Sequence, residues 1–310
     1  MTRLVPPLRL APIAGRLALG LTLGLGALLL AAMPALAQPV IGSSTGIILS
    51  GPPERPAPAH RDTGMNSFMA TQGAGGLDTL PVGPLPPQPV VVELFTAQGC
   101  SSCPPADAML ADMAERNDLL ALSFHVDYWD YLGWIDTLAR PEFTRRQQTY
   151  AHAFREHGLY TPQVIVGGTD TMIAPRPADL DALIEAHRTA PPALALTLER
   201  EGTRSILTLT PRRALSGRVE VGMVRYLPRR MVRIEAGENR GRHIEYRNIV
   251  LRMDRLADWD GRRVLRLSVS QGDKGLVPGT PTEALPEDTR HAIIVQEAGP
   301  GPILAAIRLD

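Results

Sequence analysis

The stretch LFTAQGCSSCPPADAML, residues 94–110, contains the only two cysteines of the chain, Cys100 and Cys103. The apolar run VVVELF at 90–95 is typical of a buried parallel strand. Downstream of the cysteines, apolar residues recur at i, i+3, i+4 and i+7 and predict one face of a helix: Ala106, Met109, Leu110 and Met113. The cysteines are therefore predicted to lie in a short loop between a strand and a helix.

The residues around the second cysteine predict where that helix begins. Pro104 and Pro105 lack N–H groups, so they fit best within the first helical turn. Ser101 or Ser102 is then the expected N-cap, and either hydroxyl can donate to a nearby thiolate.

Three interpretations of the C-x-x-C pair remain open. A disulfide closing so short a loop stabilises the fold by only about 2 kcal/mol, which makes it a weak structural staple. Two thiolates with His125 could bind copper or zinc, although no second C-x-x-C or H-x-x-x-H is present. Redox chemistry fits better, because a helix N-terminus favours a thiolate over a thiol.

In the redox interpretation, the two sulfur atoms have different roles. Cys100 is predicted to lie just outside the helix, exposed and activated, and to attack a substrate thiol or disulfide. Cys103 is predicted to lie inside the helix, shielded, and to resolve the mixed disulfide. Glu93, in the strand before the loop, could be buried with a raised pKa and accept the proton of Cys103. The alternative is an edge-strand glutamate that points to solvent.

The following segments predict an ordered series of strands and helices. A second buried strand spans 119–126, and a helix begins at Pro141 and ends near Gly158. Then come the strand PQVIVGG with its Gly-Gly turn, the strand TMIAP, and a helix over about 178–188. The order β-α-β-α-β-β-α is that of a thioredoxin core. Pro162 begins the third strand and is predicted to be cis, which would align the backbone of Thr161 for pairing with substrate.

The segment HVDYWDYLGW follows the second strand, at the carboxyl end of a parallel sheet, where α/β proteins place their sites. Tyr128, Trp129 and Asp130 are predicted to line a substrate cleft beside the cysteines. In the alternative interpretations, Trp134 packs between two domains and Asp130 caps the following turn. The segment GENRGRHIEYRN is interpreted as a polar turn.

Residues 191–310 alternate between apolar and polar side chains over six or seven short runs, which predicts an antiparallel β-sandwich-like domain. The expected organisation is a signal peptide at 1–37, a disordered Pro/Gly-rich linker at 38–88, a thioredoxin-like domain at 89–190 and this C-terminal domain. Cleavage near Ala37 would deliver the protein to the periplasm or outside the cell.

The charge balance also excludes one class of partner. The whole chain has 32 basic and 32 acidic residues. Removing the three arginines of the leader leaves 29 basic and 32 acidic residues, a net charge of −3. This balance disfavours a nucleic-acid partner, which requires a clustered basic surface.

Four motifs together resemble one family of exported proteins: VVELFTAQGCSSCPPADAML, SFHVDYWDYLGWIDTLARPEFTRRQQTYA, YTPQVIVGG and GENRGRHIEYRNIV. They are similar to domain-of-unknown-function family 1223, which is assigned to the thioredoxin-like superfamily. The resemblance covers Pro89 to the C-terminus. It implies a thioredoxin-like fold with Cys100 as nucleophile, Cys103 as resolving thiol and Pro162 as the cis-proline.

The expected function is that of a thiol–disulfide oxidoreductase. Its partners would be a protein or small-molecule thiol or disulfide and a membrane or periplasmic redox protein, with no cofactor. Two alternatives remain open. One is a redox-inert binding or adaptor protein, and the other is a copper or zinc carrier that uses both thiolates and His125.

Overall fold

The computed structural model describes residues 70–72, 88–173, 175–202, 204–270, 285–299 and 301–310. The predicted signal peptide and most of the predicted linker lie outside these residues. The helices are α1 (Pro104–Ala114), α2 (Pro141–Phe154) and α3 (Pro177–Thr189). The strands are β1 (Ala70–Gln72), β2 (Val90–Thr96), β3 (Leu119–His125), β4 (Gln163–Val166), β5 (Asp170–Ile173), β6 (Leu194–Glu201), β7 (Arg204–Pro211), β8 (Val219–Arg233), β9 (His243–Trp259), β10 (Leu265–Ser270), β11 (Arg290–Glu297) and β12 (Ile303–Arg308).

The first half of the chain has the predicted element order. Strands β2 and β3 are parallel, as a crossover through α1 requires, and β4 pairs antiparallel with β2. Strands β4 and β5 form the predicted hairpin, in which Gly167 and Gly168 both have positive φ angles. A Cβ at position 168 would lie 2.6 Å from the carbonyl oxygen of Gly301, so this turn requires glycine.

Side chains of β2 alternate between two faces of the sheet. Val92 and Leu94 pack with apolar residues of α1 and α3, whereas Val91 and Phe95 pack on the other face, which α2 covers. Strand β2 therefore carries two separate cores. Its neighbours β3 and β4 bury it on both edges.

The helix boundaries follow the prolines, with one correction. Pro104, Pro141 and Pro177 each occupy the first turn of a helix. Helix α2 ends at Phe154 and not near Gly158, because Arg155 adopts the left-handed conformation. The backbone N–H of Arg155 donates to the carbonyl oxygens of Ala151 and His152, so Arg155 is the C-cap residue of α2.

The second half of the chain extends the first sheet. Strand β9 pairs parallel with β3 through Ser123 and Ile249, and β8, β11 and β12 follow in the order β12-β11-β8-β9-β3-β2-β4-β5. The result is a mixed α/β fold with one eight-stranded sheet. Strands on both sides of the expected boundary at residue 190 thus belong to one sheet.

A second sheet has the order β1-β10-β7-β6. Its apolar side chains share one core with those of β8, β11 and β12, among them Leu207, Leu267, Val221 and Ile293. Strand β1 lies within the predicted disordered linker, so that prediction differs from the structure at residues 70–72. There the chain pairs with the free edge of β10, whose backbone groups would otherwise lack partners.

Within the part of the chain that the structure describes, every helix is too short or too polar to cross a membrane.

Candidate functional site

The two cysteines form a disulfide at the N-terminus of α1. Cys103 is itself the N-cap residue, and Pro104 and Pro105 occupy the first helical positions. The expectation that Ser101 or Ser102 caps the helix is therefore wrong. Pro104 is the first residue of the helix and no side chain caps it, so the helix begins one residue later than a Ser102 cap would require.

Both cysteines are buried, each with 0% of its surface exposed. This corrects the prediction that Cys100 is exposed. Two features crowd the loop. The Asn239 amide donates to the carbonyl oxygens of Gln98 and Cys100, at 2.9 and 2.8 Å. Trp129 packs on Gly99, where an added Cβ would lie 3.2 Å from the Cβ of Trp129. A side chain at position 99 would therefore be in tight contact with Trp129.

Ser102 and Thr161 lie beside the disulfide, and the side chains of Ser101 and Ser102 are both exposed. The Ser102 hydroxyl is 3.4 Å from the Sγ atom of Cys100 and donates to the Thr161 carbonyl oxygen, also at 3.4 Å. The Thr161–Pro162 peptide bond is cis, as predicted, and Pro162 is buried. The structure thus brings the cysteine loop and the start of β4 together.

The three residues predicted to line a cleft have different roles. The Trp129 indole donates to Thr161 Oγ1 at 2.8 Å, which links the aromatic loop to the start of β4. Tyr128 is half-buried and packs on the same core as the cysteines. Asp130 accepts a hydrogen bond from the backbone of Asp136 at 3.1 Å, so it caps a turn. Trp134 packs on apolar side chains of β8 and β9.

Glu93 is fully buried on the α2 face of β2, so the solvent-facing alternative is wrong. One carboxylate oxygen is 2.7 Å from Arg146 Nε, and the other accepts the Tyr150 hydroxyl hydrogen bond at 2.5 Å. Arg146 also lies over the rings of Phe124 and Tyr150. Burial acts to lower the pKa of Arg146, but the charge and hydrogen bond of Glu93, together with Tyr150 and Glu220, outweigh burial and the pKa is raised. Glu93 and Arg146 thus form an ion pair in which each charge offsets the other.

A second buried carboxylate, Asp107, lies on the opposite face of β2. It is one helical turn after Cys103 and is 3% exposed. One of its oxygens accepts the Thr96 hydroxyl hydrogen bond at 2.8 Å. Burial raises the pKa of Asp107 to about 7, although His125 and Thr96 act in the opposite direction. A carboxyl with this pKa exchanges its proton near neutral pH.

His125 is buried beside Asp107 and pairs with Asp136. The His125 Nδ1 atom is 2.8 Å from Asp136 Oδ2, which also accepts the Gln98 backbone N–H. Burial acts to lower the pKa of His125, but the charge and hydrogen bond of Asp136, together with the charge of Asp107, outweigh burial and the pKa is raised. In the metal-carrier alternative, His125 would join both thiolates. Here the cysteines bond to each other, and the described residues contain no group of three or more His, Cys, Asp or Glu placed to hold a metal.

The sequence profile of one family, described as Protein of unknown function (DUF1223), matches residues 91–294. The chain belongs to this family. The match includes the cysteine loop, the start of β4 and the β8–β9 turn that contains Asn239.

Solved structures also resemble this DUF1223 chain. A crystal structure of protein AGR_C_4864 from Agrobacterium tumefaciens has a TM-score of 0.58 and 29% identity, covering 71% of this chain and 93% of that chain. HBP35 of Porphyromonas gingivalis has a TM-score of 0.47 and 16% identity, covering 73% of this chain and 76% of that chain. No curated protein sequence matches the chain.

Sequence reasoning about this DUF1223 chain missed Asp107 and Asn239. Asp107 is four residues after Cys103, so the helical pattern places both on one side of α1. That spacing is a usable signal. Asn239 lies in the segment interpreted as a polar turn, 139 residues from Cys100. No local pattern connects that turn to the cysteine loop.

Proposed function

We propose that this protein is an exported thiol–disulfide oxidoreductase with a thioredoxin-like core and a sandwich-like C-terminal part. The observation that carries the proposal is the Cys100–Cys103 disulfide at the N-terminus of α1, within the order β-α-β-α-β-β-α. At this position the helix dipole favours a thiolate when the bond opens. The neighbouring Ser102 hydroxyl can donate to that thiolate.

The proposed reaction is thiol–disulfide exchange. A substrate thiolate attacks the Sγ atom of Cys100, a mixed disulfide forms, and Cys103 leaves as a thiolate that takes up one proton. In the reverse direction, Cys103 loses that proton and attacks the mixed disulfide, which releases the substrate thiolate. The substrate is a protein or small-molecule thiol or disulfide, and a membrane or periplasmic protein would restore the starting redox state. Neither a cofactor nor a nucleic acid takes part.

Burial of both sulfur atoms favours a second candidate, a redox-inert binding or adaptor protein. In that case the disulfide never exchanges in the native state. In the oxidoreductase, the residues that bury the two sulfur atoms must move aside for a substrate thiol to reach Cys100. Asn239 is one of the residues that cover the cysteine loop, because its amide donates two hydrogen bonds to the loop backbone.

The test is reduction of the native protein by dithiothreitol, followed by alkylation and mass spectrometry. For the oxidoreductase, the disulfide opens while the fold is intact. Asn239→Ala then speeds its opening by about thirtyfold, because two hydrogen bonds contribute about 2 kcal/mol. The matched control is Asn117→Ala, at an exposed asparagine after α1. A disulfide that opens only on unfolding, in both wild type and Asn239→Ala, would favour the adaptor.

A further inference from the structure

Around Asp107, three elements contribute polar side chains to one buried cluster. Asp107 comes from α1, His125 from β3 and Tyr246 from β9, the strand that extends the first sheet. The rings of His125 and Tyr246 meet edge to face, with centroids 4.6 Å apart. All three side chains are at most 3% exposed. We call this set the Asp107 cluster.

Each member of the Asp107 cluster has one unpaired polar atom. Asp107 Oδ2, His125 Nε2 and the Tyr246 hydroxyl have no hydrogen-bond partner among the residues described. Buried polar atoms are nearly always paired, with protein or with bound water. A buried water requires two to four polar partners, and these three atoms provide that number.

Other titratable groups surround Asp107 in this cluster. His125 faces the carboxylate of Asp136, and burial acts to raise the pKa of Asp136. The charge and hydrogen bond of His125, together with the backbone N–H groups of Gln98 and Leu138, outweigh burial, so this pKa is lowered. Each group of this pair therefore favours the charged form of the other. Burial raises the pKa of Tyr246, and the nearby carboxyl groups of Asp107 and Asp136 add to that shift, so its hydroxyl stays protonated. Asp107 is then the group in the cluster whose proton can leave near neutral pH.

Asp107 and Cys103 are placed for proton exchange. The Asp107 backbone N–H donates to the Cys103 carbonyl oxygen at 3.0 Å, the i, i+4 bond of the first helical turn. Side chains at this spacing are neighbours, with Cβ atoms about 5–6 Å apart. Glu93, by contrast, has both oxygens occupied by Arg146 and Tyr150.

We propose that the Asp107 cluster is the proton-transfer site of the cysteine pair, with Asp107 exchanging the proton of Cys103 and His125 and Tyr246 holding the Asp107 carboxylate once it ionises. This inference rests on the proposed oxidoreductase function. When a substrate thiolate attacks Cys100, the S–S bond breaks and the carboxylic acid of Asp107 gives its proton to the Cys103 thiolate. In the reverse step the Asp107 carboxylate takes that proton back, and the Cys103 thiolate attacks the mixed disulfide.

The test measures the rate of reduction of the native disulfide by dithiothreitol from pH 5 to pH 9, divided by the thiolate concentration of the reagent. In wild type this corrected rate constant falls above about pH 7, where Asp107 no longer has a proton to give. In Asp107→Asn it stays level, and at pH 6 it is about tenfold or more below wild type. Above pH 8 the two proteins converge.

Asp112→Asn is the matched control, since Asp112 is exposed on the same helix, and it should reproduce the wild-type profile. Tyr246→Phe removes only the hydroxyl and should shift the inflection to higher pH, whereas Tyr131→Phe, at a tyrosine 79% exposed, should not. An unchanged profile in Asp107→Asn overturns this inference and leaves the oxidoreductase intact. A wild-type disulfide that resists reduction overturns both.

A second measurement requires no variant. The carboxyl carbon of Asp107 is followed by NMR in the oxidised and reduced proteins. A titration near pH 7 that moves on reduction supports the proposal, because it shows coupling to Cys103. A titration near pH 4 in both states contradicts it.

Discussion

Glu93 and Asp107 are both buried carboxylates near the cysteines, but they lie on opposite faces of β2 and in different surroundings. Glu93 has a guanidinium and a phenol as partners, one for each oxygen. Asp107 has one hydroxyl partner and one unpaired oxygen. The pKa of Asp107 is raised to about 7, chiefly by burial.

The comparison shows that burial alone does not make a carboxylate a proton carrier. An ionised carboxylate in a low-dielectric site is stable when an opposite charge and hydrogen-bond donors lie against it, as Arg146 and Tyr150 lie against Glu93. A carboxyl without that compensation releases its proton at higher pH. Glu93 therefore stabilises the packing of α2, and Asp107 is left free for proton exchange.

The largest loss of stability is expected from removing the carboxylate of Glu93, which is paired with Arg146. Glu93→Ala leaves the Arg146 guanidinium, which is 15% exposed, without its counter-ion. Loss of one partner of a buried ion pair destabilises a protein by about 3–5 kcal/mol. Urea denaturation of Glu93→Ala measures this loss. The control is Glu142→Ala on the same helix, whose carboxylate is half-exposed and 3.9 Å from Arg145, and which should change stability by under about 1 kcal/mol. A similar small loss in both variants would contradict the comparison.

Removing the charge of Asp107 should change the free energy of unfolding by a smaller amount, and at neutral pH it should stabilise the protein. The pKa of Asp107 is about 7 in the folded chain and about 3.9 in the unfolded chain, so the folded state binds more protons between these values. Wild-type stability therefore falls as pH rises through this window. Asp107→Asn lacks that titration, so its stability relative to wild type should rise by about 2–3 kcal/mol between pH 5 and pH 8.

Urea denaturation at both pH values checks this prediction for Asp107. His125 is present in wild type and variant alike, so its own titration largely cancels in the difference. Asp112→Asn should show no such trend with pH. A constant difference between Asp107→Asn and wild type at pH 5 and pH 8 would show that Asp107 is ionised at both.

Local patterns predicted the part of the fold that local chemistry controls. Proline in the first turn located the first two helices, the glycine pair located the β4–β5 hairpin, and Pro162 was predicted to be cis from its place at a strand start. Each of these features depends on a few adjacent residues. The family was also identified from its motifs.

Pairing between strands that are far apart in the sequence could not be predicted from local patterns. Strand β9 alternates buried Ile244 and Tyr246 with more exposed neighbours, which is a strand pattern, but its ladder to β3 joins residues more than a hundred positions apart. Burial of Cys100 also depends on Asn239, from the turn before β9. The same strand supplies Tyr246 to the Asp107 cluster. The second half of the chain therefore completes a site that the first half begins.

The reduction potential of the Cys100–Cys103 pair in the native protein tests the central claim most directly. Equilibration in redox buffers of dithiothreitol and glutathione, followed by alkylation, gives the oxidised fraction at each potential. We predict a reversible transition between about −120 and −270 mV, the range of disulfides that exchange in catalysis. A transition below about −300 mV, or one that appears only when the chain unfolds, would identify the bond as structural and contradict the account.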